Sequence, residues 1–550
     1  MRSGVKVGIV GSVFAVVVGG IGYGAYNVFN GVTGGSSGNG KGGTSTQAAP
    51  AGTGPVSDDE IKNTAKDFLA AWASGDPDKA SQLTNNPVDS LSSLASFKED
   101  AAVSKLQIEP GAPAGTKVPY TVKATVSSGG VSKPWSYAST LTVVRGKSTG
   151  RPLVDWLPSV LYPQLKTGQS IRTGEAPTAA IKAVDYRGRE LTKEKYPSLG
   201  AILDTLRNKY GAKTGGKPGI ETYITGGDDA SAVNSTILTL SKGTPARLQT
   251  TLDADVQGAA ERAVKKFPES SVVAIKPSTG AIRAIADNRA DKFPASTQGK
   301  LAPGSTMKIV TASMLIEKGL ASAGKATECP PNVLYQGRTF VNLKNFSLPA
   351  GSTFAQSFAR SCNTAFIKLI DDTKDDAALS KEAHQVFGIG LNNWKTGVVT
   401  FDGSVPEVTG GEAAAEYIGQ GQVQMNPLNM ASITATVKAG YFKQPILVAA
   451  SLDGRDIARA QRQLPAYVAQ QVRSMMHLTA TSGTAAQAMS SVGGYDKGAK
   501  TGSAEVDAQG KPNSWFTGYS GDLAAAAVVQ DGGHGGTAAG PVVAAVLNAG

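Results

Sequence analysis

The stretch Pro303–Gly319, PGSTMKIVTASMLIEKG, decides how the rest of the chain is read. Pro303 and Gly304 interrupt the backbone before it and Gly319 stands where a helix would stop, so the spacing predicts one helix. Met307, Ile309, Val310, Ala312, Met314, Leu315 and Ile316 leave it apolar nearly all round, the pattern of a helix inside a core. Two polar groups stand in its first turn. Ser305 and Lys308, spaced i and i+3, share a face, close enough for the amine to reach the hydroxyl. The positive end of the helix dipole lies where a serine alkoxide would form. A nucleophile and a base at the mouth of a buried helix suggest a catalytic centre. Ser-x-x-Lys is nevertheless common by chance, and Ser322–Lys325 repeats it.

Two further clusters lend it weight. Ser361-Cys362-Asn363, in FARSCNTAFIKLI, stands at the start of another expected helix, and Lys500-Thr501-Gly502-Ser503 lies near the C-terminus. Each is weak alone, because Lys-Thr-Gly recurs at Lys166, Lys213 and Lys395, and Ser37-Gly38-Asn39 imitates the second cluster. Context separates them. Only the Lys500 copy is followed by a strand-like NSWFTGYSG (Asn513 to Gly521) and an apolar run from Leu523 to Val529, which together predict a hairpin in a sheet. The order Ser-x-x-Lys, Ser-x-Asn, Lys-Thr-Gly within one domain is the constellation of serine acyl-transferases that work without histidine.

The 550 residues are enough for several domains, and the 41% hydrophobic and 18% charged fractions are those of a globular protein. The net charge of +11 is scattered, with no basic-aromatic cluster, so nucleic acid is not an expected partner. Three histidines (His384, His477, His534) and two cysteines (Cys329, Cys362) have no metal-ligand spacing, and neither a metal nor another cofactor is expected. The cysteine spacing leaves both a disulfide and two buried free thiols open.

Upstream, Val7–Tyr26 carries no charge and is about long enough to cross a bilayer. Arg2 and Lys6 precede it and the next charge is Lys41, which puts the N-terminus in the cytoplasm and the bulk of the chain outside. An uncleaved single-pass anchor over 1–30 is favoured over a cleaved signal peptide. Residues 31–56 are a Gly/Ser/Thr-rich linker. Order resumes at Ser57, which with Glu60 forms a capping box ahead of Ile61, Ala65, Phe68, Leu69 and Trp72 at helical spacing. Alternating runs through Tyr120–Val126, Tyr137–Val143 and Val154–Trp156 then predict a curved antiparallel sheet, making residues 57–166 a small α+β domain whose Trp and Tyr residues form its core. Residues 167–245, with a helix near Leu199–Tyr210, read as a linking or pedestal module. The run SVVAIKPSTGAIRAIA predicts a hairpin opening a last domain, 246–550.

With these motifs in hand, residues 246–550 resemble the transpeptidase domain of penicillin-binding proteins. The hairpin VVAIKPSTGAIRAIA, Gly419-Gln420-Gly421 through Asn426-Pro427-Leu428, and Ser482-Gly483-Thr484-Ala485 are similar to family stretches. The 57–166 region, with Trp156-Leu157-Pro158-Ser159, resembles the nuclear-transport-factor-like domain of methicillin-resistance-type class B proteins. The pattern departs in the linking module, where only Asp185-Tyr186-Arg187-Gly188 is similar to the family's Asp-Arg-x-Gly. The fold so implied is α+β and multidomain: a membrane anchor, a small cone-like domain, a linking module, and a serine transpeptidase/β-lactamase-like domain with an antiparallel sheet flanked by helices.

The resemblance implies an enzyme of peptidoglycan biosynthesis, a DD-transpeptidase that cross-links stem peptides ending in D-Ala-D-Ala and is acylated by β-lactams. Ser305 is then the nucleophile and Lys308 its base, with Ser361 relaying the proton and Asn363 holding Lys308 and the substrate backbone. Lys500 and Thr501 bind the terminal carboxylate, Gly502 lets the strand lie close, and the N–H groups of Ser305 and Ser503 form the oxyanion hole. Divisome or elongation proteins are candidate partners, and the cell membrane is the implied location. The alternatives are a DD-carboxypeptidase, which uses water as acceptor, and a β-lactam sensor or divisome scaffold with little turnover. A bifunctional glycan polymerase lacks its acid motif here, and a β-lactamase lacks a convincing deacylating glutamate.

Overall fold

Ser57 and Glu60 cap each other's backbone N–H groups and start the first helix, α1 (Asp58–Ala73), as their spacing predicts. The computed structural model describes residues 54–226, 234–506 and 509–550. The expected anchor over 1–30, and the linker as far as residue 53, lie outside the described residues. Among those described, no helix is long and apolar enough to cross a membrane.

After α1, Asp76 and Asn86 cap α2 (Pro77–Ser81) and α3 (Pro87–Glu99), each with proline in the first turn where no N–H is needed. Four antiparallel strands follow, β1 (Val103–Pro110), β2 (Lys117–Ser128), β3 (Val131–Arg145) and β4 (Pro152–Val154), in that order across the sheet. Along β2, Val118, Tyr120, Val122, Ala124 and Val126 alternate into the core against α1. Phe68, Trp72, Phe97, Trp135 and Trp156 meet there edge-on, tilted or stacked. The expectation that the tryptophans are core is correct for burial but incomplete for Trp72. With Phe97, Leu94, Val103 and Leu106 it also lines a cleft of about 530 Å³.

The linking segment divides its apolar residues between two cores, which is why its sequence pattern is weak. The sheet of β5 (Gln169–Glu175), β7 (Ile220–Gly226) and β8 (Ser235–Ser241) sends Ile171, Ile224 and Leu240 into the N-terminal core. By contrast β6 (Ile181–Val184) pairs in parallel with β9 (Ala246–Gln249), and α4 (Gly200–Tyr210) packs into the C-terminal core. The second of these parts is pinned to the start of the last domain at Asp185, which is fully buried. Its carboxylate accepts hydrogen bonds from the Arg187, Arg189 and Ala254 N–H groups and from Arg189 Nε at 2.8 Å. Burial pushes its pKa up, but these donors outweigh burial and hold it below the usual carboxylate range. The guanidinium that reaches Asp185 is that of Arg189, which bridges on to Asp253 and Asp255 at 2.9 and 2.7 Å, while Arg187 of the Asp-Tyr-Arg-Gly stretch meets the same two carboxylates only at 3.9 and 3.8 Å.

The C-terminal sheet runs β11 (Ala281–Asn288), β10 (Ser270–Lys276), β16 (Leu523–Val529), β15 (Asn513–Ser520), β14 (Lys497–Ala504), all antiparallel, and a separate hairpin is formed by β12 (Asn332–Tyr335) and β13 (Arg338–Val341). Strand β16, LAAAAVV, is buried on both faces. Ala524, Ala526 and Val528 meet one core, while Ala525, Ala527 and Val529 meet another. Small side chains let helices close on either side: α5 (Ala254–Val264) and the C-terminal Ala539–Leu547 on one, Lys308–Glu317 and Pro427–Ala439 on the other.

One expectation is corrected here. Residues 303–319 are not a single α-helix: Gly304–Met307 is a 3₁₀ turn, and the α-helix runs from Lys308 to Glu317. Gly319 ends it with φ +71°. Gly304 has φ +53°, outside helical space, so the helix cannot begin until the chain has turned past it.

Candidate active site

Ser305 sits half-buried in the 3₁₀ turn, and Lys308 opens the helix that follows. In a 3₁₀ turn residues three apart eclipse one another, which aligns this pair better than α-helical spacing would. Strand β14 lies directly on the turn. A Cβ added to Gly304 would stand 2.4 Å from the Ser503 carbonyl, and one added to Gly502 would stand 2.8 Å from the Pro303 carbonyl. Both positions therefore require glycine. From the other side Gly304 donates its N–H to the Gly419 carbonyl at 2.8 Å. The nucleophile turn is thus clamped between β14 and the Gly419–Gly421 loop.

Lys308 is fully buried and donates to the Ser361 carbonyl at 2.9 Å and to Asn363 Oδ1 at 2.7 Å. Lys500, equally buried on β14, donates to Ser361 Oγ at 2.9 Å and to the Thr501 carbonyl at 3.0 Å. Ser361 therefore stands between the two amines. Each amine faces a phenyl ring, Lys308 over Phe366 at 5.3 Å and Lys500 over Phe358 at 5.5 Å. Burial pushes the Lys308 amine well below the ordinary lysine range, and the Lys500 charge pushes it further; Glu505 opposes both. Burial brings Lys500 down to about 7. Thr501 is buried, its hydroxyl 2.6 Å from that of Thr484, while Ser503 faces outward and approaches His534 Nδ1 at 3.3 Å.

Hydrogen bonds join Lys308, Ser361, Asn363 and Lys500, while Thr501, Gly502 and Ser503 continue β14 from Lys500 and the turn that carries Ser305 lies against that strand. The decoys take no part. The Lys-Thr-Gly copies at Lys166, Lys213 and Lys395 lie outside this sheet, and Ser322–Lys325 is a turn.

Sequence reading missed what shapes the Ser361 loop. Ser361 has φ +60°, a left-handed conformation costly for serine, so its surroundings must impose it. Asn342, 1% exposed, accepts from the Asn363 and Thr364 N–H groups through Oδ1 and donates to the Pro330 and Phe346 carbonyls. Cys362 forms a disulfide with Cys329, which settles the alternative left open by the spacing. The bridge holds the residue lying between the two that contact the lysines, and it closes a loop 33 residues long in sequence. Replacing both cysteines by alanine is expected to cost roughly 2–4 kcal/mol in denaturant unfolding. It should also slow penicillin acylation about tenfold, and dithiothreitol should slow the wild type but not the double variant.

The model of the penicillin-binding protein transpeptidase domain matches residues 270–548, and that of the NTF2-like N-terminal transpeptidase domain matches residues 60–169. The chain belongs to the penicillin-binding protein transpeptidase family, with an NTF2-like N-terminal domain. Peptidoglycan D,D-transpeptidase PbpA of Mycolicibacterium smegmatis is 27% identical over 350 residues, covering 54% of this chain and 70% of that one. Among solved structures, the D,D-transpeptidase domain of a peptidoglycan glycosyltransferase from Eggerthella lenta superposes with a TM-score of 0.51 at 22% identity, over 68% of this chain and 98% of that one. PBP2 of Pseudomonas aeruginosa gives 0.53 at 20% identity, over 68% and 96%. The two structures bear on the fold alone.

Proposed function

We propose that the protein is a serine-type peptidoglycan DD-transpeptidase, and that the placement of Ser361 between two buried lysines carries the reading. Acyl transfer needs an amine that is neutral near pH 7 beside the nucleophile, and a cation to hold the donor's terminal carboxylate. An exposed lysine, with pKa about 10.4, serves only the second purpose. Burial and the neighbouring Lys500 charge make Lys308 suited to the first.

In this reading Lys308 takes the Ser305 proton as the oxygen attacks the penultimate D-Ala carbonyl. Lys500 and Thr501 hold the terminal carboxylate by charge and hydroxyl. The Ser305 and Ser503 N–H groups receive the developing oxyanion, each worth roughly 3–4 kcal/mol of barrier. Ser361 passes the proton to the departing D-alanine, and Asn363 keeps the Lys308 amine aimed. The acyl-Ser305 ester then passes to an amine of a second stem peptide. A β-lactam enters as the donor does, but its opened ring stays attached and keeps the acceptor out. Residues 57–166 and 167–245 would serve as stalk and pedestal for the 246–550 domain, with residues 1–30 as the membrane anchor.

The test is product partition. With a D-Ala-D-Ala peptide donor and an amine acceptor, the reading expects D-alanine release together with an amide-linked product, both abolished by penicillin. Release without amide product would favour the carboxypeptidase alternative, and acylation by penicillin without release would favour the sensor or scaffold.

A further inference from the structure

We infer that Glu505, oriented by Gln420, is the residue that binds the cationic acceptor amine and so biases the acyl-enzyme toward aminolysis over hydrolysis. The inference rests on the transpeptidase reading and deepens it.

The donor half of the site is cationic. Lys308 and Lys500 lie behind the nucleophile, and the second of them is committed to an anion. The acceptor is a primary amine, an ammonium at neutral pH, and the Lys500 charge, left without its anion once D-alanine has departed, repels it. Something negative must stand on its approach. Glu505 is the first residue past β14, so the strand that covers Ser305 ends at its carboxylate. Gln420, next to the Gly419 that accepts the Gly304 N–H, donates its side-chain amide to Glu505. The Gln420–Glu505 link thus joins the two walls that clamp the Ser305 turn, at the rim of the site.

Two further facts single this carboxylate out. Its field reaches the active-site base: Glu505 is the one group whose charge raises the Lys308 pKa. Among the described residues it is also exposed and has no cationic partner, its contact being with neutral Gln420. Glu412, the neighbouring acid on the Gly419 side, is instead paired with Arg338 at 3.6 Å. A neutral amide fixes the carboxylate without spending its charge, which leaves it to meet an incoming ammonium. Rim charges of this kind act on encounter and register more than on the buried chemistry.

The transfer then balances. The bound ammonium gives one proton to solvent, and its nitrogen attacks the ester carbonyl of acyl-Ser305. Lys308 takes a second proton from that nitrogen as the new C–N bond forms. The C–O bond to Ser305 breaks, and Lys308 returns the proton to the serine oxygen. Water, being neutral, gains nothing from Glu505.

The experiment uses the full chain with Nα,Nε-diacetyl-L-Lys-D-Ala-D-Ala as donor and Nα-acetyl-L-lysine amide as acceptor probe. In Glu505→Gln the ratio of amide product to hydrolysis is expected to fall about tenfold, through a raised KM for the acceptor. Glu505→Asp should recover most of the ratio. In the same Glu505→Gln chain the acid limb of the penicillin acylation profile should move to lower pH, because a charge holding the Lys308 pKa up is gone. A merely structural role would lower acylation and aminolysis together and leave the limb in place, which would overturn the inference. An unchanged product ratio would overturn it too. A wild type that neither takes up penicillin nor releases D-alanine would instead sink the transpeptidase reading underneath.

Discussion

A full chain carrying Ser305→Ala is expected to fold with wild-type stability and to take up no covalent label from a fluorescent penicillin, at least about 10⁵-fold less than wild type. Both halves of this result follow from the position of the side chain. The Ser305 hydroxyl makes no hydrogen bond among the described residues, so removing it strands no partner, and the change in unfolding free energy should stay within about 0.5 kcal/mol. The turn itself is held by Gly304 against Gly419 and β14, contacts that alanine at 305 does not touch. The chemistry has no substitute. Cys362 is bound in the disulfide, and Ser361 already receives a hydrogen bond from Lys500. Gel fluorescence beside a thermal melt checks both halves, and labelling that persists in a folded Ser305→Ala chain would move the nucleophile elsewhere.

Lys308→Met should cost roughly 10³-fold in acylation rate at neutral pH, the range expected for a positioned general base. Its pH signature is the sharper part. Acylation requires neutral Lys308, so in wild type the rate rises as pH rises through the Lys308 pKa. It also requires charged Lys500 at the substrate carboxylate, so the rate falls as pH rises through the Lys500 pKa, brought by burial to about 7. Burial and then the Lys500 charge hold Lys308 well below the ordinary lysine value, which leaves a bell whose two limbs belong to the coupled pair. Lys308→Met removes the acid limb. Lys308→Arg does not restore activity, because a guanidinium stays protonated. Lys500→Met removes the neighbouring cation and shifts the acid limb to higher pH. Stopped-flow acylation across pH measures all three, and a bell unmoved by either substitution would deny the lysines these roles.

How far such a site can be read in a sequence depends on whether its contacts leave a local pattern. The Ser305–Lys308 pair did, through spacing and an apolar helix, and the Lys500 copy of Lys-Thr-Gly stood out from three others because two strands follow it. The antiparallel pairing of Gly502 with Trp515 and Thr501 with Phe516 is what that pattern predicts. The 3₁₀ start of the Ser305 helix was not legible: Gly304 takes φ +53°, and the Ser503 carbonyl packed against it comes from about two hundred residues on. Asn342 carries the backbone of Asn363 from 21 positions away, and Thr484 meets Thr501 from 17, both through single polar side chains in loops with no periodicity. Arg189 escaped for a related reason. Two arginines stand two residues apart, and only the turn at buried Asp185 decides which guanidinium comes back to it.

The central claim is that three distant polar clusters make one pocket in which the Lys308 amine renders the Ser305 hydroxyl reactive. The most direct measurement is peptide mapping by mass spectrometry of the full chain after exposure to penicillin and digestion with trypsin. The prediction is a single adduct equal to the whole penicillin on peptide 301–308, LAPGSTMK, fragmenting to Ser305. An adduct on the peptide that begins at Ser361, on the one that carries Ser503, or anywhere else with 301–308 unmodified would contradict the account.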